Sequence, residues 1–326
     1  MPVTWQKYVW TVLKISVSLG LMYWAVRSID LTVMIAIWQS INVNWILASF
    51  ILLTLSYLLG AWQWQSILAI GDIRLKYPTV VGYYYVGLFF NNFLISGMGG
   101  DVLRVYDIHR HTSDPQRLSP ALAVVFFDRF VGLLILILYA CISGIFLIGQ
   151  GESLRMFFAI TGLLLLWIFA LILLFHRPLA IFLLTPLAWL VPKRLRMRVD
   201  HLYSELNRFR TAPQLLMRVF LIAGGVQMLR IIAIAAIGRA LGDASSLMFY
   251  ILFVPMISLA ASLPISIGGT GPREQTTVFL FRKIGVSSEI AFSIGFVTYL
   301  LSAVSTLPGG FIFMLRKNKA EHAVVS

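Results

Sequence analysis

A chain of 326 residues that is 59% hydrophobic and only 12% charged, with a mean hydropathy of +0.87, has about half the charged fraction of an average soluble domain. That balance excludes an ordinary water-soluble enzyme and makes bilayer hydrocarbon the chain's main solvent. The net charge of +13 does not point to nucleic acid, because the lysines and arginines lie between apolar runs; they read as topology signals and contacts to anionic lipid.

Apolar segments fall near 8–26, 45–70, 80–98, 120–148, 156–175, 215–238, 247–267 and 290–315. Several reach the roughly 20 helical residues needed to cross a core of about 30 Å. The first contains Lys14 and lacks a small-residue cleavage site, so it reads as a retained helix and not a signal peptide. The segments 80–98 and 247–267 differ from plain lipid-facing spans. They end in the pairs Gly99-Gly100 and Gly268-Gly269 and carry Asn91, Asn92, Ser96, Ser262 and Ser266. Cys141, the single cysteine, lies in an apolar run, which excludes an internal disulfide and a cysteine metal cluster.

The two glycine-rich ends align at an offset of 169: Leu94 to Arg104 against Leu263 to Arg273, sharing the leading Leu, the glycine pair and the final Arg. The offset is about half the chain, which is the pattern of a transporter repeat, although so few identities leave chance as the alternative. Charge tests the topology. If 80–98 and 247–267 are re-entrant and the N-terminus is inside, Lys7, the loops at 74–76, 104–117 and 177–210, and the end from Arg316 place 16 Lys and Arg inside and 6 outside. Eight plain crossings give 14 and 8 in their better orientation. The positive-inside rule thus favours an all-α bundle of about six full spans plus two re-entrant hairpins over eight full spans. It also predicts one integral membrane domain, 1–326, with inverted halves at about 1–150 and 151–326 and a polar cavity where the glycine tips meet. Between 176 and 214, an apolar stretch broken by Pro186 and the basic run Lys193 to Arg210 read either as an interfacial helix pair on anionic lipid or as a solvated positive loop.

Three stretches carry residues that hydrocarbon alone does not explain. From Asn91-Asn92 to Gly99-Gly100-Asp101-Val102-Leu103-Arg104, the glycines allow close backbone approach and leave N–H groups facing an anion, while Arg104 offers a bidentate donor to phosphate. The competing reading is a helix terminator and a positive-inside arginine. In Phe126-Phe127-Asp128-Arg129-Phe130, two ionisable groups lie about 13 Å along a helix beginning near Ser119. Buried charge is costly unless paired or hydrated, and helix neighbours point about 100° apart, so Asp128 is expected to meet an arginine such as Arg104 and not Arg129. A purely structural ion pair, or snorkelling by Arg129, is the alternative. From Pro264 to Glu274 the glycines, two prolines and Arg273-Glu274 predict a re-entrant tip that opens a helix near Pro272, whose N-terminus favours an anion. The plainer alternative is packing glycines with Arg273 paired to Glu274.

Arg230 lies mid-span and either meets a backbone carbonyl or lines the cavity. Trp62-Gln63-Trp64 and Tyr83-Tyr84-Tyr85 read as interfacial belts. The five histidines sit in loops or tails, and no catalytic triad, Walker loop or dinucleotide fingerprint is present, so neither a metal nor a cofactor is expected.

At Asn92 to Arg104 (NFLISGMGGDVLR), Phe127 to Leu133 (FDRFVGL) and Leu263 to Glu274 (LPISIGGTGPRE) the sequence resembles the flippase-like family named after the transmembrane region of lysylphosphatidylglycerol synthase, also known as UPF0104. The resemblance covers essentially the whole chain. It implies a multi-pass inner-membrane protein similar to the domain that moves aminoacylated phosphatidylglycerol between leaflets, in a family also associated with lipid-linked sugar and hopanoid pathways. By motif position, Arg104, Asp128, Arg129, Arg273 and Glu274 would line a head-group cavity. No aminoacyl-transfer domain follows Leu315, so synthesis of lysylphosphatidylglycerol by this sequence is not expected.

Residues and resemblance together predict a flippase for a lipid or lipid-linked head group, and favour transport over catalysis without excluding an enzyme. Its partner would be a phospholipid or a polyprenyl-phosphate-linked lipid, with both termini cytoplasmic and homo-oligomerisation left open. The candidate substrate-binding residues are Asn92, Gly99, Gly100, Asp101, Arg104, Asp128, Arg129, Gly268, Gly269, Gly271, Arg273 and Glu274. The alternatives are a membrane-embedded transferase using Asp128 or Glu274 as base on a polyprenyl-phosphate sugar, and an accessory protein of envelope synthesis.

Overall fold

In hydrocarbon no water satisfies backbone N–H and C=O groups, so long apolar runs close their hydrogen bonds internally as helices. The computed structural model describes residues 30–94, 99–112, 118–148, 154–176, 179, 203–204, 206–207, 209–262, 266 and 269–325. Among them lie ten α-helices and no strand. They are α1 (Leu31–Gln39), α2 (Val43–Ile70), α3 (Tyr77–Phe93), α4 (Gly99–Thr112), α5 (Leu118–Ile148), α6 (Leu154–Phe175), α7 (Pro213–Ala240), α8 (Leu247–Ser262), α9 (Pro272–Arg282) and α10 (Ser288–Val325).

Four of these hold stretches long and apolar enough to cross a bilayer: Val43–Ile70, Pro120–Phe146, Pro213–Ala240 and Ser288–Arg316. The chain is a polytopic helical membrane protein. The expected spans near 45–70, 120–148, 215–238 and 290–315 are these four, and the segment 156–175 is helix α6. The segment 8–26 and most of the region 177–208 lie outside the described residues. Helices α3 and α8, with 17 and 16 residues, are about 25 Å long and fall short of a crossing.

The helices repeat along the chain at one spacing. Starts at 43, 77 and 118 are matched by starts at 213, 247 and 288, each 170 residues later, and α2 and α7 both have 28 residues. Their C-terminal ends are built alike. Ile73 N donates to Leu68 O and Asp72 N to Ala69 O; Asp243 N donates to Gly238 O and Gly242 N to Arg239 O. The residue at the turn is left-handed in both, Asp72 at φ +57° and Gly242 at φ +86°. This Schellman arrangement satisfies carbonyls that a helix end would leave bare. The spacing extends to side chains: Tyr57 bonds Ser302 at 3.0 Å, and 170 residues on from Tyr57 and back from Ser302, Gln227 bonds the Gly132 carbonyl at 3.3 Å.

The chain clusters into two compact units, one of residues 1–57, 82–103 and 228–326, the other of residues 58–81 and 104–227. In the first, Tyr250, Phe253 and Phe281 form an aromatic core between α8 and α9. In the second, Phe130 stacks on Trp167 across α5 and α6, and Phe127 meets Phe209.

Candidate functional site

Two glycine hinges shape the first unit. A Cβ on Gly100 would lie 1.7 Å from the Gly87 carbonyl oxygen, so α3 and α4 fold back on each other backbone against backbone. Asn91 fastens the turn, accepting the Gly100 N–H at 2.9 Å and donating to Asp101 Oδ1 at 3.3 Å. Gly99 packs against Leu94. The second hinge folds α9 back on α8. Gly269 and Gly271 have φ of +78° and +93°, backbone conformations that glycine adopts freely. A Cβ on Gly269 would lie 2.7 Å from the Ala261 carbonyl oxygen. Pro272 then opens α9, where its missing N–H costs no intrahelical bond. Glu274 has no exposed surface; its Oε2 accepts the Gly271 N–H at 2.6 Å, and its Oε1 has no hydrogen-bond partner among the described residues. Gly295 of α10 makes room for it, since a Cβ there would lie 3.3 Å from Glu274 Cα.

Both hinges reach the middle of α10. Ser302 lies 14 residues from either end of the Ser288–Arg316 span, about 21 Å at 1.5 Å per residue. Asn92 Nδ2 donates to Ser302 O, Ser302 Oγ and Thr306 Oγ1 at 3.4, 3.2 and 3.0 Å. Tyr57, midway along α2, shares its hydroxyl with the same Ser302 Oγ. Three residues before Ser302, Tyr299 donates to the Asn92 carbonyl at 3.4 Å, and its ring lies 5.4 Å from the Arg273 guanidinium. Arg230 stands 5.8 Å from the Tyr57 ring. Each arginine is thus within cation–π range of a tyrosine, and both tyrosines belong to the hydrogen-bonded node around Asn92 and Ser302. Arg230 and Arg273 are both half-buried, and Glu274 and Tyr57 lie within electrostatic reach of Arg273. A planar guanidinium held on an aromatic ring keeps N–H donors for a phosphate or carboxylate.

The second unit holds a different arginine site. Arg104 Nη2 bonds Asp128 Oδ2 at 3.0 Å, with side-chain exposures of 7% and 10%. The guanidinium lies 4.2 Å over the ring of Trp64, a side chain with no exposed surface. Gln63 Nε2 donates to the other oxygen, Asp128 Oδ1, at 2.9 Å. This arrangement closes charge on itself: the carboxylate neutralises the guanidinium, and Gln63 and Trp64 hold both.

A family model describing the lysylphosphatidylglycerol synthase transmembrane region matches residues 11–311. The chain belongs to that family. It is also similar to a UPF0104 membrane protein of Pyrococcus horikoshii, with 24% identity over 342 residues that cover 96% of this chain and 98% of the relative. Membership makes the chain a multi-pass membrane protein of a lipid-related family, and the matched stretch includes both hinges and all three arginine positions.

Of the candidate residues, Asn92, Gly100, Asp101, Gly269, Gly271, Arg273 and Glu274 lie at the two hinges, and Gly99 lies beside the first. Arg104 meets Asp128, as their helix geometry led us to expect, and half-buried Arg129 is not part of that pair. Gly268 lies outside the described residues. Sequence reasoning gave no site role to Tyr57, Gln63, Trp64, Tyr299, Ser302 or Thr306. The belt reading of Trp62-Gln63-Trp64 is corrected: Trp62 is exposed and stacks with Arg218 at 4.6 Å, whereas Trp64 is buried. Residues two apart on a helix point about 200° apart, so one faces lipid when the other faces protein. A polar Gln63 inside an apolar helix was the signal available. The three consecutive tyrosines divide likewise, with Tyr84 and Tyr85 buried and Tyr83 beneath Arg316.

Proposed function

We propose that this protein translocates the phosphate-bearing head group of a membrane lipid, with Arg273, Glu274, Asn92 and their tyrosine and serine neighbours as the station at mid-membrane depth. The observation that carries this reading is that two hinge tips, distant in sequence, meet one helix at the centre of its span and bring arginine there. Moving an ionised phosphate into hydrocarbon without partners is prohibitive. A guanidinium, a helix N-terminus and the hydroxyls of the node replace the water it leaves. The glycines at 99, 100, 269 and 271 let backbone approach closely enough for irregular structure to survive at that depth. In this reading the 170-residue repeat is an inverted pair of halves, the protein sits in the cytoplasmic membrane with both termini on the cytoplasmic side, and no ATP motif drives the movement, which is downhill or ion-coupled.

The test is a proteoliposome assay in which tail-labelled fluorescent phospholipids of the outer leaflet are quenched by a membrane-impermeant reductant. The intact chain should accelerate loss of the protected inner-leaflet signal. Arg273→Ala should slow it by about tenfold or more, the scale of one charge-assisted contact of ~1.5–3 kcal/mol. Equal scrambling by the variant and the parent would remove Arg273 from the site.

A further inference from the structure

We infer that Arg230 is the second cation of this station, and that it selects lipids whose head group carries one net negative charge, phosphodiesters without a cationic group, over zwitterionic phosphodiesters and over dianionic phosphomonoesters. The inference rests on the translocation reading above and adds to it a residue and a substrate class.

Arg230 lies in α7, 17 residues from Pro213 and 10 from Ala240, about 15 Å from the nearer helix end. It is half-buried and makes no hydrogen bond or ion pair among the described residues; its guanidinium stands over the Tyr57 ring. The described carboxylates of its unit are engaged elsewhere. Asp101 accepts from Asn91, and Asp243 accepts from Ser245 and Tyr250. Asp30 caps α1, and Glu289 accepts the Asp30 N–H. Glu274 sits beside Arg273, caps its own helix through Gly271 and acts on the Arg273 guanidinium. With Arg273 and Glu274 counted against each other, Arg230 supplies a positive charge of the station that has no counter-charge among the described residues.

The cost of holding net charge in a low-dielectric region grows with the square of that charge. A head group of net −1 makes the occupied station neutral. A zwitterion leaves +1 behind, and a dianion leaves −1. The Tyr57 hydroxyl, on the same ring that Arg230 covers, is hydrogen-bonded to Ser302, so the two arginines share one node and address one ligand.

The experiment compares tail-labelled phosphatidylglycerol, phosphatidylcholine and phosphatidic acid in the proteoliposome assay, using the intact chain, Arg230→Gln and Arg230→Lys. Each lipid is also tested for its effect on the melting temperature of the detergent-purified protein. Phosphatidylglycerol should move about tenfold faster than the other two, a factor of ten corresponding to 1.4 kcal/mol, and should raise the melting temperature most. Arg230→Gln should abolish both preferences, and Arg230→Lys should keep part of them. Equal rates for the three lipids, or a phosphatidylglycerol preference that survives Arg230→Gln, overturns the inference. If no lipid moves but phosphatidylglycerol stabilises the parent and not Arg230→Gln, the translocation reading fails and the charge-selective site stands. If phosphatidylglycerol stabilises no more than phosphatidylcholine, the site itself fails.

Discussion

The arginine of the Arg104–Asp128 region and the arginines around Ser302 are the same residue type placed in opposite electrostatic circumstances. Arg104 is nearly sealed from solvent, ion-paired at 3.0 Å and stacked on a fully buried tryptophan, while Gln63 occupies the second carboxylate oxygen. That set balances its own charge. Around Ser302, among the described residues, Arg230 has no counter-charge and Glu274 keeps one oxygen without a hydrogen bond, and both arginines retain surface. An intramembrane charge is therefore not by itself a sign of a binding site. What decides is whether the protein has already supplied the opposite charge.

The sharpest way to break this contrast is to remove one member of the closed pair. Asp128→Ala leaves a buried guanidinium uncompensated and should cost ~3–5 kcal/mol, read as a large fall in melting temperature in detergent. Adding Arg104→Met should recover most of that loss. If single and double variants melt alike, the pair is not closed in the sense argued above. Arg273→Ala should behave in the opposite way, losing transport but only about 0.5–1 kcal/mol of stability, the worth of a partly exposed cation–π contact.

Next in size is the seat of the first hinge on α10. A Cβ on Gly309 would lie 2.1 Å from the Tyr85 carbonyl oxygen, so Gly309→Ala must push α3 away and loosen the Asn92 bonds. A cost of about 1–3 kcal/mol is expected for such overpacking, together with slower transport. Unchanged melting and transport would mean that α3 does not dock where we place it.

The smallest effect is expected at an exposed carboxylate that belongs to neither arginine site. Asp30 caps α1 through Thr32 and Val33, and its side-chain and backbone hydrogen bonds to Thr32 hold its carboxyl below the usual carboxylate range. A depressed folded pKa means that its contribution is present above the unfolded value and is lost as pH falls through the folded one. Amide exchange in Leu31–Gln39 should therefore rise on acidification below about pH 4, and Asp30→Ala should remove that step. A pH-independent exchange pattern would count against the cap.

Much of this architecture was legible in residue order. The apolar runs fixed helices, because hydrocarbon leaves the backbone no other partner. Gly100 and Gly269 marked the hinges, because a Cβ on either would lie 1.7 or 2.7 Å from a carbonyl oxygen, and Gly269 also has positive φ. Helix periodicity was enough to point Asp128 toward Arg104. The glycine tips align at an offset of 169, and three pairs of helix starts stand 170 apart.

Partnership was decided by the fold. Tyr57, Arg273, Tyr299 and Asn92 are separated by up to 242 positions, 57 against 299, yet are linked through Ser302. A sequence gives the type and depth of a charged side chain along its own helix, since both follow from 1.5 Å and 100° per residue. It does not give the helix that will face that side chain. Whether an arginine is neutralised, as Arg104 is, or left with charge to offer, as Arg230 is, depends on that neighbour, and packing alone chooses it.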